Sequence, residues 1–256
     1  MAFFDHHCHL AGLDDAAELW ELARSQGVAR FIDVGTTIAF SRRSLAFAAD
    51  REGVWATAGV HPHDADEAPV AELVADLEAL LDDGALAVGE CGLDYHYDHS
   101  SRATQREVFV EQIRLAHRRD VPLVIHTREA WEDTFSILDD EGWPSHTVLH
   151  CFTGGPSEAE RCLIGGAWVS FSGIVTFKGA ADVREAAKLV PSHRYLLETD
   201  SPFLAPVPHR GKANQPAWVA DVGRGFAEAR GDDPADVEAR AWVNTHAAYG
   251  LAPPTG

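Results

Sequence analysis

The amino-acid sequence predicts an α/β fold, a (β/α)8 TIM barrel forming one domain over residues 1–256. Three observations lead there. Short apolar runs alternate with longer amphipathic stretches about eight times, the rhythm of repeated βα units. Several of those runs end on a histidine or a carboxylate, where barrels carry their chemistry. No Gly-x-Gly-x-x-Gly follows the first run, which argues against a doubly wound dinucleotide-binding sheet.

Taken in order, residues 3–9 open the chain as a strand. A helix begins behind Asp14 and Asp15, runs through Leu19, Leu22 and Ala23, and stops at Gly27, a residue that accepts the left-handed turn ending helices. Strands are expected at 31–35 and 54–60. Apolar side chains at 70, 73, 74, 77, 80 and 81 have a helical spacing. A strand at 86–90 precedes a helix at 105–117, in which Val108, Ile113 and Leu115 sit among charges. The alternation continues with strand 123–126, helix 130–138, strand 147–151, helix 157–164, strand 167–172, helix 182–189 and strand 195–199. Helices at 216–229 and 234–249 close it, and the tail 252–256, Ala-Pro-Pro-Thr-Gly, is expected to be frayed and dispensable.

Hydrophobic residues at 46% and charged residues at 24% suit a soluble globular enzyme. No apolar run is long enough for a membrane span, and the first residues lack a basic segment followed by an apolar one. A cytoplasmic location without membrane association is therefore expected, and nothing marks an obligate protein partner. Four cysteines fall far short of a disulfide scaffold and read as reduced thiols. The net charge of −19, from 21 basic and 40 acidic side chains, argues against a broad basic groove for nucleic acid. A small cationic pocket stays compatible with it, because bound ions add charge.

The segment Asp5-His6-His7-Cys8-His9 offers five consecutive metal-binding side chains. Strand alternation puts Asp5, His7 and His9 on one face, with Asp5 supporting the pair, and sends His6 and Cys8 towards the helix layer. Four further candidates end apolar runs: Glu90 in Ala-Val-Gly-Glu-Cys, His126 in Leu-Val-Ile-His-Thr-Arg, His150 in Val-Leu-His-Cys-Phe and Asp200 in Glu-Thr-Asp-Ser-Pro. Burial alone would not choose a charge there. His7, His9, Glu90, His126, His150 and Asp200 exceed what one tetrahedral ion uses and suit two divalent ions, with Glu90 bridging. Zinc, manganese or magnesium fit such mixed imidazole and carboxylate ligands. Cys8, Cys91 and Cys151 each adjoin a candidate ligand, so alternation turns them away, and no Cys-x-x-Cys pair suggests a thiolate site.

At these residues the sequence resembles the TatD family of metal-dependent deoxyribonucleases, a metal-dependent hydrolase type within the amidohydrolase-like barrels. The likeness runs nearly end to end, through Asp-His-His-Cys-His-Leu (5–10), Gly-Val-His-Pro-His (59–63), Gly-Glu-Cys-Gly-Leu-Asp-Tyr (89–95), Ile-His-Thr-Arg (125–128), His-Cys-Phe-Thr-Gly (150–154), Glu-Thr-Asp-Ser-Pro-Phe-Leu (198–204) and Pro-His-Arg-Gly-Lys-Ala-Asn-Gln-Pro (208–216). The resemblance implies that His7 and His9 bind one ion with Glu90 and Asp200, while Glu90, His126 and His150 surround the second. Glu90 then stands where many amidohydrolase relatives use a carboxylated lysine. The segment 244–251 departs from the family pattern and is expected to form a docking helix remote from the chemistry.

The reaction this implies is phosphodiester hydrolysis by a metal-activated water, with Glu90 and Asp200 as catalytic carboxylates and Asp200 carrying the proton. His61 and His63 are expected to contact substrate or support the site. Arg128, two residues past His126, and the loop cations Arg210 and Lys212 are candidate phosphate contacts. Asn214 is expected to brace that loop, and Glu198, sharing the parity of Asp200, to point inward. Tyr95, Tyr97, Phe152 and Phe203 are candidates for stacking on bases. The acidic exterior favours single-stranded DNA or DNA ends as the partner. Cleavage of a C–N or C–O bond, such as an ester on aminoacylated RNA, is the alternative, and metal binding without turnover a third.

Overall fold

A computed structural model describes residues 2–252. Eight strands alternate with helices: β1 (Phe3–Cys8), α1 (Ala16–Ser25), β2 (Val28–Asp33), α2 (Ile38–Ala49), β3 (Val54–Ala56), α3 (Val70–Asp82), β4 (Val88–Asp94), α4 (Arg102–Arg119), β5 (Leu123–Arg128), α5 (Trp131–Glu141), β6 (Thr147–Leu149), α6 (Pro156–Ile164), β7 (Trp168–Phe171), α7 (Ala181–Leu189), β8 (Tyr195–Leu197), α8 (Val219–Arg230) and α9 (Pro234–Ala248). All pairings are parallel, in the orders β1-β2-β3 and β4-β5-β6-β7-β8. Two bridges, Cys8 to Ser201 and Ala58 to Val88, close the seams between the two sheets. The circuit is that of a (β/α)8 TIM barrel.

Strand alternation divides the apolar residues into two layers. Phe4, Ile32, Val124, Val148 and Leu196 fill the barrel interior, capped by Ala248 and Tyr249 at the end of α9. Their neighbours Phe31, Leu123, Ile125, Tyr195 and Leu197 point outward and pack against helix residues such as Leu77, Phe109, Ile113, Leu138 and Phe226. Burying each such side chain stabilises the fold by about 1.5–3 kcal/mol.

The seam between β3 and β4 depends on glycine. A Cβ on Gly59 would stand 2.3 Å from the Gly89 carbonyl carbon and 2.5 Å from the Glu90 nitrogen. That proximity lets the Gly89 N–H donate to the Ala58 carbonyl and the Glu90 N–H to the Gly35 carbonyl, both at 2.8 Å. At the other seam the Asp200 N–H donates to His7 (2.9 Å) and the His9 N–H to Ser201 (2.8 Å). Both closures therefore run through the backbone of the candidate site.

Several expectations change. Helix α2 was not marked by apolar periodicity, because its buried face carries Ser41 and Ser44; its legible signal is Thr37, whose side chain accepts the Phe40 N–H. Strand β3 is shorter than 54–60, since beyond Ala56 the chain bends to form the seam, while β4 and β5 run on to Asp94 and Arg128. Strand β1 breaks its alternation: Asp5 pairs with Phe31 and Cys8 with Asp33, three steps against two. His6 shares the parity of interior Phe4 and turns into the barrel rather than to the helices, between Ser170 Oγ (2.6 Å) and the Tyr249 hydroxyl (3.1 Å), and the break brings its neighbour His7 inward as well, onto Glu90. The Asp5 side chain reaches neither imidazole of the pair; it accepts the Thr199 N–H at 2.9 Å, bonds to the backbone N–H of His7, and joins β1 to the segment after β8. Cys8 does pack behind, with Leu10 and Ala16. Tyr249 also shows that 244–251 is not remote from the site. Residues 253–256 of the expected frayed tail lie outside the described residues. No helix among the described residues is long and apolar enough to cross a membrane.

Candidate active site

The barrel brings the other five candidate ligands together around Glu90, which is almost fully buried. Its Oε2 lies 3.2 Å from His7 Nε2 and 3.6 Å from His9 Nε2. Its Oε1 lies 2.9 Å from His150 Nε2, 3.1 Å from His126 Nδ1 and 3.3 Å from His61 Nε2. One carboxylate thus faces two histidine groups, one with each oxygen. Asp200 closes the first group, its Oδ1 3.5 Å from His9 Nε2 and 3.9 Å from His7 Nε2. Asp200 takes φ 56°, a left-handed conformation uncommon outside glycine, which turns it in at the seam.

The donor set fits divalent cations. In His7–His150–Asp200, His7–His9–Glu90 and His61–Glu90–His126, one ligand atom from each residue lies within 4.8 Å of the others. The hydrogen-bond network assigns the tautomers. His9 Nδ1 donates to the Val34 carbonyl (2.9 Å) and His150 Nδ1 to Glu198 Oε1 (3.2 Å), so in each neutral ring Nε2 keeps its lone pair towards Glu90. His126 Nε2 donates to Asp94 Oδ2 (3.2 Å), which leaves Nδ1 facing the cluster. His61 differs. Its Nδ1 accepts the His63 N–H at 3.1 Å, so the neutral ring carries its proton on Nε2 and donates towards Glu90. Proximity groups His61 with the ligands; its tautomer makes it a donor, and the bonding pattern is the stronger guide because a protonated nitrogen has no lone pair to give.

Electrostatics point the same way. Burial pushes the Glu90 carboxyl up, but His150, His61 and His126 more than offset this and hold it well below the usual carboxylate range. Burial lowers His9 while Asp200 and Glu90 raise it, to about 9 in total. His150 is likewise raised, by Glu90 and Glu198, against its burial. The negative field that keeps protons on these rings is the field a divalent cation would neutralise. His61, dominated by burial, falls to about 4 and stays neutral.

Two carboxylates orient the rings from behind, as expected for Glu198. Glu198 accepts from His150, from the Cys151 N–H (2.8 Å) and from Ser170 Oγ (2.6 Å); burial raises its carboxyl, but His150, with His7 and His6 behind it, brings it down to about 2. Asp94 accepts from both His126 and His63, the latter at 3.0 Å. Sequence reading missed Ser170 and Tyr249. They come from β7 and from the residue after α9, and no local pattern links them to the site.

A cavity of about 690 Å³ opens above the cluster, lined among others by His61, His63, Tyr97, Arg128, Phe40 and Phe203. Arg210 and Lys212 do not line it. Asn214 ties the carbonyls of Thr199 (2.8 Å) and Phe203 (2.6 Å), as expected of a brace, and the loop before it turns outward. Arg210 consequently lies over Phe177 and donates to the Ala205 carbonyl, while Lys212 is exposed. Of the aromatic candidates, Phe152 is buried in the core and the Tyr95 hydroxyl is bound to Asp133. Phe203 is 60% exposed on the cavity wall. Cys151 also lines the cavity instead of turning away: β6 ends at Leu149, and φ 43° at Cys151 reverses the expected direction.

Comparison with known proteins agrees with this arrangement. The family described as TatD related DNase matches residues 4–250. The metal-dependent hydrolase YcfH of Escherichia coli K12 is 40% identical over 238 residues, 90% of this chain and 89% of its own. The 3′-5′ ssDNA/RNA exonuclease TatD of Cronobacter sakazakii is 36% identical, over 94% of this chain and 91% of its own. The crystal structure of YJJV, a TatD homologue from Escherichia coli K12, superposes with a TM-score of 0.91 at 26% identity, covering 98% of each chain. From the cluster of candidate ligands, the barrel that presents it and these likenesses together, the chain belongs to the TatD family of metal-dependent hydrolases.

Proposed function

We propose that this protein is a nuclease of one barrel domain that holds two divalent ions and removes nucleotides from the ends of single-stranded DNA or RNA. The observation that carries this reading is Glu90, with histidine nitrogens within 3.6 Å of each of its oxygens. His7, His9 and Asp200 would hold one ion with Glu90, and His126 and His150 the other. Zinc and manganese suit this imidazole-rich set best. Such ions acidify water and polarise phosphoryl oxygens.

The chain's own residues do the rest. Asp200, on the open side of the cluster, takes the proton of the attacking water and returns it to the departing oxygen. Glu198 and Asp94 hold His150 and His126 in the tautomers that leave lone pairs towards the ions. His61 donates to the bridging carboxylate and is not itself a ligand. Phe203 offers an exposed aromatic face for a base, and Arg128 a cation for phosphate. The name of the Cronobacter relative supports single strands as substrate, as does the net charge of −19, which disfavours long duplex contacts. Free cysteines and the lack of an apolar spanning helix among the described residues are compatible with action in the cytoplasm.

The test is mononucleotide release from single-stranded DNA, single-stranded RNA and a closed duplex circle, with added divalent ions, by wild type and Glu90→Gln. We expect release from the single strands alone and a loss of about a thousandfold or more in the variant. Comparable rates in Glu90→Gln would overturn the bridging role. Wild type that binds metal but releases nothing would move the assignment to carbonyl hydrolysis, with esters of aminoacylated RNA as the next substrate.

A further inference from the structure

Arg128 is a cavity-lining arginine without an acid. Among the described residues its guanidinium makes no hydrogen bond or ion pair, in a chain where acidic side chains outnumber basic ones 40 to 21. Its sequence neighbour Glu129 is taken by His96 at 2.7 Å. Several arginines on the outer helices find acids: Arg42 pairs with Asp76, Arg114 with Glu141, Arg118 with Glu78 and Arg161 with Asp139, while Arg24 and Arg43, which lie over Trp20 and Phe40, are exposed to solvent instead of lining a cavity. A half-buried guanidinium left unpaired in an acidic protein has a fork free for a ligand.

An aromatic shelf holds it. The guanidinium carbon lies 4.8 Å from the centroid of Tyr97. Tyr97 stacks parallel to His99, centroids 5.5 Å apart at 8°, and His63 stands edge-on to both. Asp94 locks this assembly by accepting the Tyr97 N–H at 2.9 Å and the His63 ring at 3.0 Å. Packing a guanidinium over a ring fixes its plane while its in-plane donors stay available.

The shelf also sets the distance from the chemistry. Arg128 lies two residues beyond His126 along β5, roughly 6.6 Å at strand rise, and Tyr97 is 51% exposed at the rim. The guanidinium is therefore parked at the mouth, away from the ligand floor. We propose that Arg128, set by Tyr97 and His99, binds the phosphate next to the scissile one in the substrate strand. This rests on the nuclease reading and gives it a second subsite.

Three dinucleotides test it: NpN, whose single phosphate is the scissile one, and pNpN and NpNp, which add a phosphate at either end. With metal-loaded enzyme, one phosphorylated form should exceed NpN in kcat/KM by about tenfold or more, chiefly through KM. Arg128→Met should bring that ratio close to one. Arg128→Lys, which keeps the charge but not the fork, and Tyr97→Leu, which removes the shelf, should lower it in part. A gain from neither phosphate, or an undiminished gain in Arg128→Met, overturns the proposal. An equal loss on all three substrates in Arg128→Met also overturns it, and assigns the arginine to the scissile phosphate. If wild type cleaves none of them, the nuclease reading fails, and the subsite is decided by titrating the same dinucleotides onto metal-free protein. A tenfold tighter Kd for one phosphorylated form that Arg128→Met abolishes sustains it; equal Kd values overturn it.

Discussion

Glu198 accepts the Nδ1 proton of His150 at 3.2 Å while the other nitrogen of that ring faces Glu90 at 2.9 Å. The carboxylate is itself set by a directed chain: the Tyr249 hydroxyl donates to His6, His6 to Ser170, and Ser170 to Glu198. Every member is buried, so each proton has one place to go. The imidazole on the cavity floor is oriented from the opposite end of the barrel.

Replacing the carboxylate alone should expose that dependence. Glu198→Gln keeps the shape, but its amide group adds a donor where Ser170 and the Cys151 N–H already donate. We expect metal affinity to fall about 10–100-fold with the barrel folded, measured by competition with a chromogenic chelator alongside circular dichroism. Unchanged affinity would mean that the Glu198–His150 contact is incidental.

Phe203 should act on binding more than on chemistry. It stands on the cavity wall, 60% exposed, with its ring edge-on to His9 at 6.3 Å. Loss of base stacking is worth about 1–3 kcal/mol, so Phe203→Ala should raise KM for a single strand by about fivefold or more and change kcat little. Steady-state kinetics with Phe203→Tyr as control checks this, since tyrosine keeps the aromatic face.

His6 gives the metal-free protein a defined response to acid. Burial, the largest influence, brings its pKa from 6.5 to about 3, so the fold contains the neutral ring. The unfolded chain takes the proton first. The contribution of His6 is therefore complete above about pH 6.5 and is lost as pH falls towards 3. Between pH 7 and 5 this amounts to about 2 kcal/mol. Urea unfolding in the presence of a chelator should show a drop that is smaller by that amount in His6→Gln. Parallel pH profiles for the two proteins would show that His6 is not held neutral.

The seam at Gly59 should tolerate no side chain. A methyl group there meets backbone atoms of Gly89 and Glu90, which have no rotamer with which to move aside. Gly59→Ala should cost about 3 kcal/mol and weaken metal binding together with stability, because Glu90 belongs to the same seam. Thermal unfolding with and without metal tests both. A variant as stable as wild type would mean that the two sheets can separate there without consequence.

Much of this protein is determined by its sequence alone. Eight apolar runs alternating with amphipathic stretches specify the barrel, because strand and helix periods follow from how each element buries one face. The polar residues that end several of those runs specify the candidate ligands, because burial would not select His126, His150 or Asp200 there without a compensating partner. Tertiary structure decided what depends on closure. The register shift in β1 brought His7 inward beside His6, the positive φ at Cys151 set that residue against the cavity, and the brace at Asn214 carried Arg210 and Lys212 away from it. Helix α2 carries no apolar periodicity because serines form its buried face, and no local pattern marks Tyr249 because its partner His6 lies 243 positions away. Periodicity reports which face of an element is buried. Only the closed barrel determines which distant donor meets which acceptor, since that is fixed by strand register at the seams and not by any local pattern.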